Sequence, residues 1–164
     1  MADRALRKWV QASVAKYFKD IAAGETPAIP SLADGLETRS DSFMEQQHRA
    51  EIRVNGPYTK RFSGCGMARV FINILVSSMM DGQETNIYKL DELLGVFHEA
   101  ADADIPIFRY GSDAEDNGTL YGCLKLISGK NDYLRVVTFG QLQDNTRLRQ
   151  GMVAGTYELY VDTL

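Results

Sequence analysis

Four side chains in this sequence could carry nucleophilic or metal chemistry: Cys65, Cys123, His48 and His98. A cysteine nucleophile needs a base within hydrogen-bond reach, and a zinc site needs cysteines or histidines at ligand spacing. The two cysteines lie far apart without a CxxC motif, and the two histidines lie in unrelated segments. The pattern therefore predicts no thiol active site, no zinc site and no disulfide framework.

Two short stretches have features of ligand-binding loops. Residues 63–66, Ser-Gly-Cys-Gly, open into a β-patterned run, whereas a phosphate-binding Gly-x-Gly follows a strand and opens a helix. Residues 113–118 begin like a calcium loop with Gly118 at the sixth position, but the twelfth position is Leu124 instead of glutamate. We read the first stretch as a bulge or hairpin turn and the second as an acidic turn. The sequence predicts no catalytic, metal or cofactor residues.

Composition limits the function classes further. A chain of 164 residues with 45% hydrophobic content is expected to form one domain, residues 1–164, around a real core. A formal charge of −4 argues against a protein that grips phosphates over a broad basic face. No apolar run approaches the roughly 20 residues that cross a bilayer, and the N-terminus lacks the apolar region of a signal peptide. We expect no membrane partner, and a protein made and used in a cytoplasm.

Two amphipathic helices are expected to position the rest of the chain. Apolar residues at three- and four-residue steps predict a first helix ending at Gly24 and a second over residues 87–101. The stripe of the first helix consists of Leu6, Trp9, Val10, Val14, Tyr17, Phe18 and Ile21. Residues 25–42 are rich in proline, serine and scattered charges, and predict a long loop or insertion.

Strand patterns fill most of the remaining sequence. Residues 43–54 alternate, residues 55–57 are an Asn-Gly-Pro turn signal, and residues 58–79 are apolar on both faces like a central strand. Pro106 assigns residues 105–110 to a sheet edge, because proline cannot donate to a ladder. Residues 119–128 form another strand. The fold class is α+β, with a mostly antiparallel β-sheet, two amphipathic helices and a long C-terminal β-hairpin.

That hairpin, over residues 133–161, is the dominant feature of the sequence. Two β-patterned arms flank a polar turn at residues 143–146, and the return arm exceeds the usual strand of about five or six residues. Such a hairpin either wraps a core with the help of bulges, for which Gly151 and Gly155 are candidates, or pairs with another copy. We therefore expect an assembly protein.

Several runs resemble the tail terminator, or tail completion, proteins of tailed bacteriophages. They are residues 53–58, 71–78, 107–111, 117–124 and 136–142, with the closing strand 147–161. The order of helix, sheet, helix and hairpin is also that of the family, and the resemblance covers roughly residues 45–164 and the first helix. The chain departs from compact members of the family by its insertion at residues 25–42.

The resemblance implies a structural virion protein without enzymatic activity. It implies a ring, typically a homohexamer, that caps the tail tube of a siphophage and receives the head-closure (stopper) protein at the neck. The partners would be further copies of the chain, the tail tube protein and the head-closure protein, and DNA would pass through without specific binding. The location would be the virion tail or neck, assembled in the host cytoplasm.

Candidate contact residues follow from edges and charges. Exposed strand edges are natural seams, and the acidic turn of one copy could face the basic hairpin of the next. These candidates are Ile105, Pro106, Ile107, Asp113, Glu115, Asp116, Arg147 and Arg149. Two other classes stay open. One is another head-tail connector, neck or baseplate component, and the other is a small α+β ligand-binding or enzyme domain.

Overall fold

The computed structural model describes residues 2–62, 65–80, 88–110, 118–127, 134–141 and 147–161. Its elements are α1 Ala2–Ala23, β1 Ser31–Ala33, α2 Asp41–Met44, β2 His48–Phe62, β3 Cys65–Met79, α3 Lys89–Ala101, β4 Ile105–Arg109, β5 Thr119–Leu126, β6 Leu134–Gln141 and β7 Leu148–Val161. The predicted class is confirmed, because the sheet is mostly antiparallel, carries α1 and α3, and includes the C-terminal hairpin of β6 and β7.

β7 is the strand on which the sheet branches. The sheet runs β1-β2-β3-β7-β5-β4, and β6 also pairs with β7. One side of β7 pairs with β3 along its whole length, while the other is shared between β6 at residues 149–155 and β5 at residues 157–158. The long return arm is therefore a central strand with two short neighbours on one side.

The core lies between one face of this sheet and the two long helices. Val70, Ile72, Ile74 and Val76 of β3 are buried, as the alternation predicts. Val10, Val14 and Phe18 belong to the helical stripe and are fully buried against the same core. Full burial of such a side chain is worth about 1.5–3 kcal/mol, so this contact holds α1 on the sheet.

α1 also closes two strand edges with polar side chains. Gln11 Nε2 donates to the carbonyl oxygens of Val54 and Gly56 at 3.1 and 3.3 Å. On the other side of the helix, Ser13 Oγ accepts a hydrogen bond from the Phe108 N–H at 2.9 Å. α1 thus lies between β2 and β4 and bonds to both.

Two tyrosines cap the C-terminal end of α3. The Tyr157 hydroxyl donates to the carbonyl of Ala101 at 2.6 Å, and the Tyr17 hydroxyl donates to that of Ala100 at 2.8 Å. Burial raises the pKa of Tyr157, with smaller contributions from Tyr17 and Asp102, and burial also raises the pKa of Tyr17. Both phenols therefore stay protonated and donate to carbonyls that helix geometry leaves unpaired.

The predicted turn at residues 55–57 is wrong. β2 continues through this segment to Phe62, with a shift in its register to β3 between Asn55 and Tyr58. Gly56 has a φ of +109°, and a Cβ there would lie 2.8 Å from the Arg69 carbonyl oxygen. In this segment, glycine and proline form a bulge inside a long strand. A bulge favours the same residue types as a turn, so the sequence signal was the same.

The predicted loop over residues 25–42 contains an unexpected strand. β1, Ser31–Ala33, pairs in parallel with residues 50–52 of β2. The strand expected over residues 43–54 begins at His48, because Phe43 belongs to the short helix α2. The N-cap of α2 is Ser40, whose side chain accepts a hydrogen bond from the Phe43 N–H. The predicted start of the second helix at residue 87 lies outside the described residues, and α3 begins at Lys89.

Gly151 and Gly155 do not form bulges in β7. The ladder between β3 and β7 is continuous, and the irregularity lies in β6 between Thr138 and Gly140. Gly151 instead lies close to α3, since a Cβ there would lie 2.6 Å from Leu94 Cδ1.

Candidate assembly surface

The first component of the surface is the outer edge of β6. The strand pairs with β7 on one side, and no strand among the described residues pairs with its other side. Val136 is 43% exposed and Phe139 is 50% exposed. Phe139 is the residue that the register shift leaves over between Thr138 and Gly140.

Natural edge strands are commonly protected by proline, lysine or several charges. β6 reads Leu-Arg-Val-Val-Thr-Phe-Gly-Gln, with Arg135 as its one charged residue and no proline. An edge of this composition favours pairing with another chain. This segment, which we call the β6 edge, is residues 134–141.

The edge of β4 is different, although it is also an outer strand. β4 ends one branch of the sheet, which confirms the edge position predicted from Pro106. Residues two apart in a strand point their backbone groups to the same side. On the side away from β5, Pro106 has no N–H, the Phe108 N–H bonds to Ser13, and the Tyr110 carbonyl accepts from Trp9 Nε1 at 3.0 Å. The helix therefore occupies the edge that the sequence suggested as a seam.

Ile105 and Ile107 are also unavailable to a partner at the surface of the chain. Both side chains are fully buried in the core, so they cannot contact a partner from the surface of the chain. Pro106 is partly exposed between them. The cover supplied by α1 could not be read from the sequence, because it depends on residues about a hundred positions away.

The remaining predicted contact residues fall into two groups. Asp113, Glu115 and Asp116 lie outside the described residues. Arg147 is exposed and Arg149 partly exposed where β7 begins, and β7 pairs there with the end of β6 through Gln141 and Arg149. The two arginines therefore lie beside the β6 edge, which the sequence analysis placed in the same hairpin.

A cleft of about 340 Å³ lies beside the β6 edge. Its side chains alternate along β2, β3 and β7 with core residues, which places the cleft on the sheet face opposite α1 and α3. The lining includes Asn55, Tyr58, Phe71, Asn73, Arg135 and Thr156. Tyr58 and Phe71 meet edge to face, with ring centroids 5.9 Å apart. A smaller depression, lined in part by Phe139, adjoins the cleft at Asn73.

The second component is the segment at the opposite end of the sheet. We call residues 31–45 the β1 rim; they include β1, α2 and the turn between them. Ion pairs fasten it to β2: Arg53 Nε lies 2.8 Å from Asp34 Oδ2, and Arg39 Nε lies 2.6 Å from Glu51 Oε1. Lys19 of α1 pairs with Glu37. The β1 rim is therefore an ordered part of the domain surface.

Apolar and buried polar side chains complete the β1 rim. Leu36 is 58% exposed and Met44 is 44% exposed. Arg49 is 95% buried beneath α2, since its exposed fraction is 5%, and it donates from Nη1 to the carbonyl oxygens of Met44 and Gln46. Its Nε has no hydrogen-bond partner among the described residues.

Three of the side chains with possible chemistry, His48, His98 and Cys123, lie on separate elements of the described structure. His48 Nδ1 shares a hydrogen bond with Ser78 Oγ at 2.9 Å, and His98 lies in the last turn of α3. Cys123 is a free thiol in β5, and the side chain of Cys65 is outside the described part of the chain. No group of three metal-ligating side chains occurs among the described residues. In the same residues, no helix is long and apolar enough to span a membrane.

No protein-family model and no curated protein matches this sequence. One of the solved structures that resemble this chain aligns over 96% of both chains at 10% sequence identity, with a TM-score of 0.49.

Proposed function

We propose that the protein is a structural subunit that assembles with copies of itself into a closed ring, as the tail terminator of a tailed phage. The ring caps the tail tube and receives the head-closure protein. The resemblance of the sequence supplies the family, and the open β6 edge supports the self-assembly.

The single observation that carries the proposal is the combination found at β6. An eight-residue strand has no described neighbour on its outer side, and two of its apolar side chains, Val136 and Phe139, are exposed. An unpaired edge with exposed apolar side chains is costly to leave in water and prone to pairing. A subunit that buries this edge against a neighbour removes that cost.

The charge of the chain suits the proposed role. With a formal charge of −4, the subunit repels the phosphates of a passing DNA. DNA that slides through a ring must not be held, and contacts from lysine or arginine to phosphates are the ones that hold it. The proposal therefore expects passage of DNA without specific binding.

Mixing the purified protein with tail tubes tests the proposed role. We expect gold-labelled protein to bind at one end of each tube in electron micrographs, and the capped tubes to acquire the head-closure protein. The variant Val136→Glu/Phe139→Glu should bind much less, because a carboxylate in an apolar seam must be desolvated. Binding at neither end would contradict the role of terminator, and binding at the baseplate end would favour the baseplate alternative.

A further inference from the structure

We propose that the β6 edge of one copy packs against the β1 rim of the next copy, so that the sheets of neighbouring subunits join head to tail. This inference rests on the proposed function and deepens it, since it names the two surfaces that form the seam. Four properties of the described residues carry it: topology, backbone groups, apolar exposure and charge.

Topology provides two open ends on one continuous path. β1, β2, β3, β7 and β6 are hydrogen-bonded in that order, so β1 and β6 are the two ends of a five-strand path. The third end of the sheet, β4, is occupied by α1 through Ser13 and Trp9. A subunit with two different open ends can add the next copy without using the same surface twice, which is the condition for a ring.

The backbone of β1 leaves a few groups for a neighbour. The Pro30 carbonyl accepts from Ala50, and the Asp34 N–H donates to Ile52, so the even-numbered residues of this segment face β2. By alternation, Ser31 and Ala33 point their backbone groups away from β2. The Ala33 carbonyl already accepts from Leu36 and Glu37. Ser31, which is partly exposed, therefore offers both of its backbone groups, whereas Ala33 is only 3% exposed. So few groups fix the register more than they add affinity.

Apolar side chains stand exposed at both ends. Val136 and Phe139 are at the β6 edge, and Leu36 and Met44 are at the β1 rim. Each is more than 40% exposed in the single chain. Exposed apolar residues on both members of a seam give it the hydrophobic centre that protein interfaces have.

Charge is complementary between the two ends. Within the β1 rim, Asp34 and Glu37 are already paired with Arg53 and Lys19, whereas Asp41 and Glu45 form no ion pair with a described residue. Arg135 lies in β6, and Arg147 and Arg149 lie beside it where β7 begins; each of the three arginines also interacts with another residue of its own chain. An acidic end that meets a basic end is steered into one orientation, whereas two β6 edges would bring like charges together.

Two double variants test the seam, and each disrupts one of its two surfaces. Val136→Glu/Phe139→Glu disrupts the β6 edge, and Leu36→Glu/Met44→Glu disrupts the β1 rim. Each variant alone should have the monomer mass of 18.3 kDa in native mass spectrometry. A mixture of the two retains one intact β6 edge and one intact β1 rim, so it should give a heterodimer that grows no further.

The control is Tyr88→Glu/Leu120→Glu, which replaces two exposed apolar residues of 64% and 57% exposure outside both ends. It should assemble like the unmodified protein. Circular dichroism checks the fold of every variant. If a glutamate variant is unfolded, Phe139→Ser and Leu36→Ser replace the two double variants in the same mixing experiment.

The other outcomes distinguish a failure of this seam from a failure of the proposed ring. If the β1-rim variant alone still dimerises and the mixture gives no heterodimer, copies meet β6 to β6 and the inference is wrong. If both variants assemble like the unmodified protein, this seam is wrong while the proposed ring stands. If the unmodified protein stays monomeric with and without tail tubes, the proposed function and the inference are both overturned.

Discussion

At the scale of single residues, the hydroxyl of Tyr157 makes the strongest prediction. Tyr157 is fully buried, and its hydroxyl is the partner of the Ala101 carbonyl at the end of α3. Tyr157→Phe leaves this carbonyl without a donor, and the loss of a buried partner costs about 1–3 kcal/mol. Urea titrations should show a loss of this size in the free energy of unfolding. Tyr17→Phe is the matched control and should cost less, since Tyr17 is only partly buried and water can replace its hydroxyl.

The loss of stability caused by Tyr157→Phe is expected to depend on pH. The pKa of Tyr157 is raised in the folded protein, so its stabilising contribution is fully present below the unfolded pKa of about 10. The contribution falls as the pH rises above that value towards the folded pKa. The stability difference between the unmodified protein and Tyr157→Phe should therefore be constant from neutral pH to about 9 and shrink at higher pH. A difference that grows above pH 10 would contradict the assignment of Tyr157 as a donor.

Few of these residue-scale features could be predicted from the sequence. The apolar stripe of α1 was readable, because its period alone determines which residues are buried. The partners of Tyr17 and Tyr157 were not, because each hydroxyl reaches a carbonyl that lies 83 or 56 residues away in the chain. Hydrogen bonds of this kind depend on the packed arrangement and have no local signal.

At the scale of elements, the cover of β4 by α1 predicts an effect on stability without an effect on assembly. Ser13 is 3% exposed and accepts from the Phe108 N–H, so Ser13→Ala leaves this partly buried donor without its partner. The expected cost is about 1–3 kcal/mol in the free energy of unfolding, measured by chemical denaturation. Ser42→Ala is the control, because the Ser42 hydroxyl bonds only to Ser40 at an exposed site and should cost little.

The native mass of the Ser13→Ala variant distinguishes the two outer strands. If β6 is the strand that meets a neighbour, the variant should assemble like the unmodified protein at a temperature where it is folded. A folded Ser13→Ala variant that no longer assembles would point to β4 as part of the seam and contradict the role given to β6.

Strand faces were predicted better than strand ends. The alternation in residues 70–76 placed four side chains of β3 in the core correctly, because burial on one face repeats at every second residue. The ends of β2 were wrong at both termini, because α2 takes the first residues and a bulge carries the strand through Gly56 and Pro57. β1 was missed, because three residues are too few to show a pattern.

At the scale of the whole molecule, the proposed assembly depends on which strand edges remain open. The sequence predicted a long hairpin that either wraps a core or pairs with another copy, and it suggested both this hairpin and β4 as seams. Strand order and helix placement leave β6 as the more open edge: β7 lies inside the sheet, α1 bonds to β4, and β6 lies at one end. None of these relations is local, so the sequence suggested assembly but could not identify the edge.

The mass of the assembled protein tests the central claim, a closed ring of identical subunits, most directly. Native mass spectrometry of the unmodified protein, alone and after release from tail tubes, measures it. The account predicts one discrete multiple of the 18.3 kDa subunit that does not grow as the concentration rises, because a closed ring has no free ends. A protein that stays monomeric under both conditions, or a series of masses that lengthens with concentration, would contradict the account.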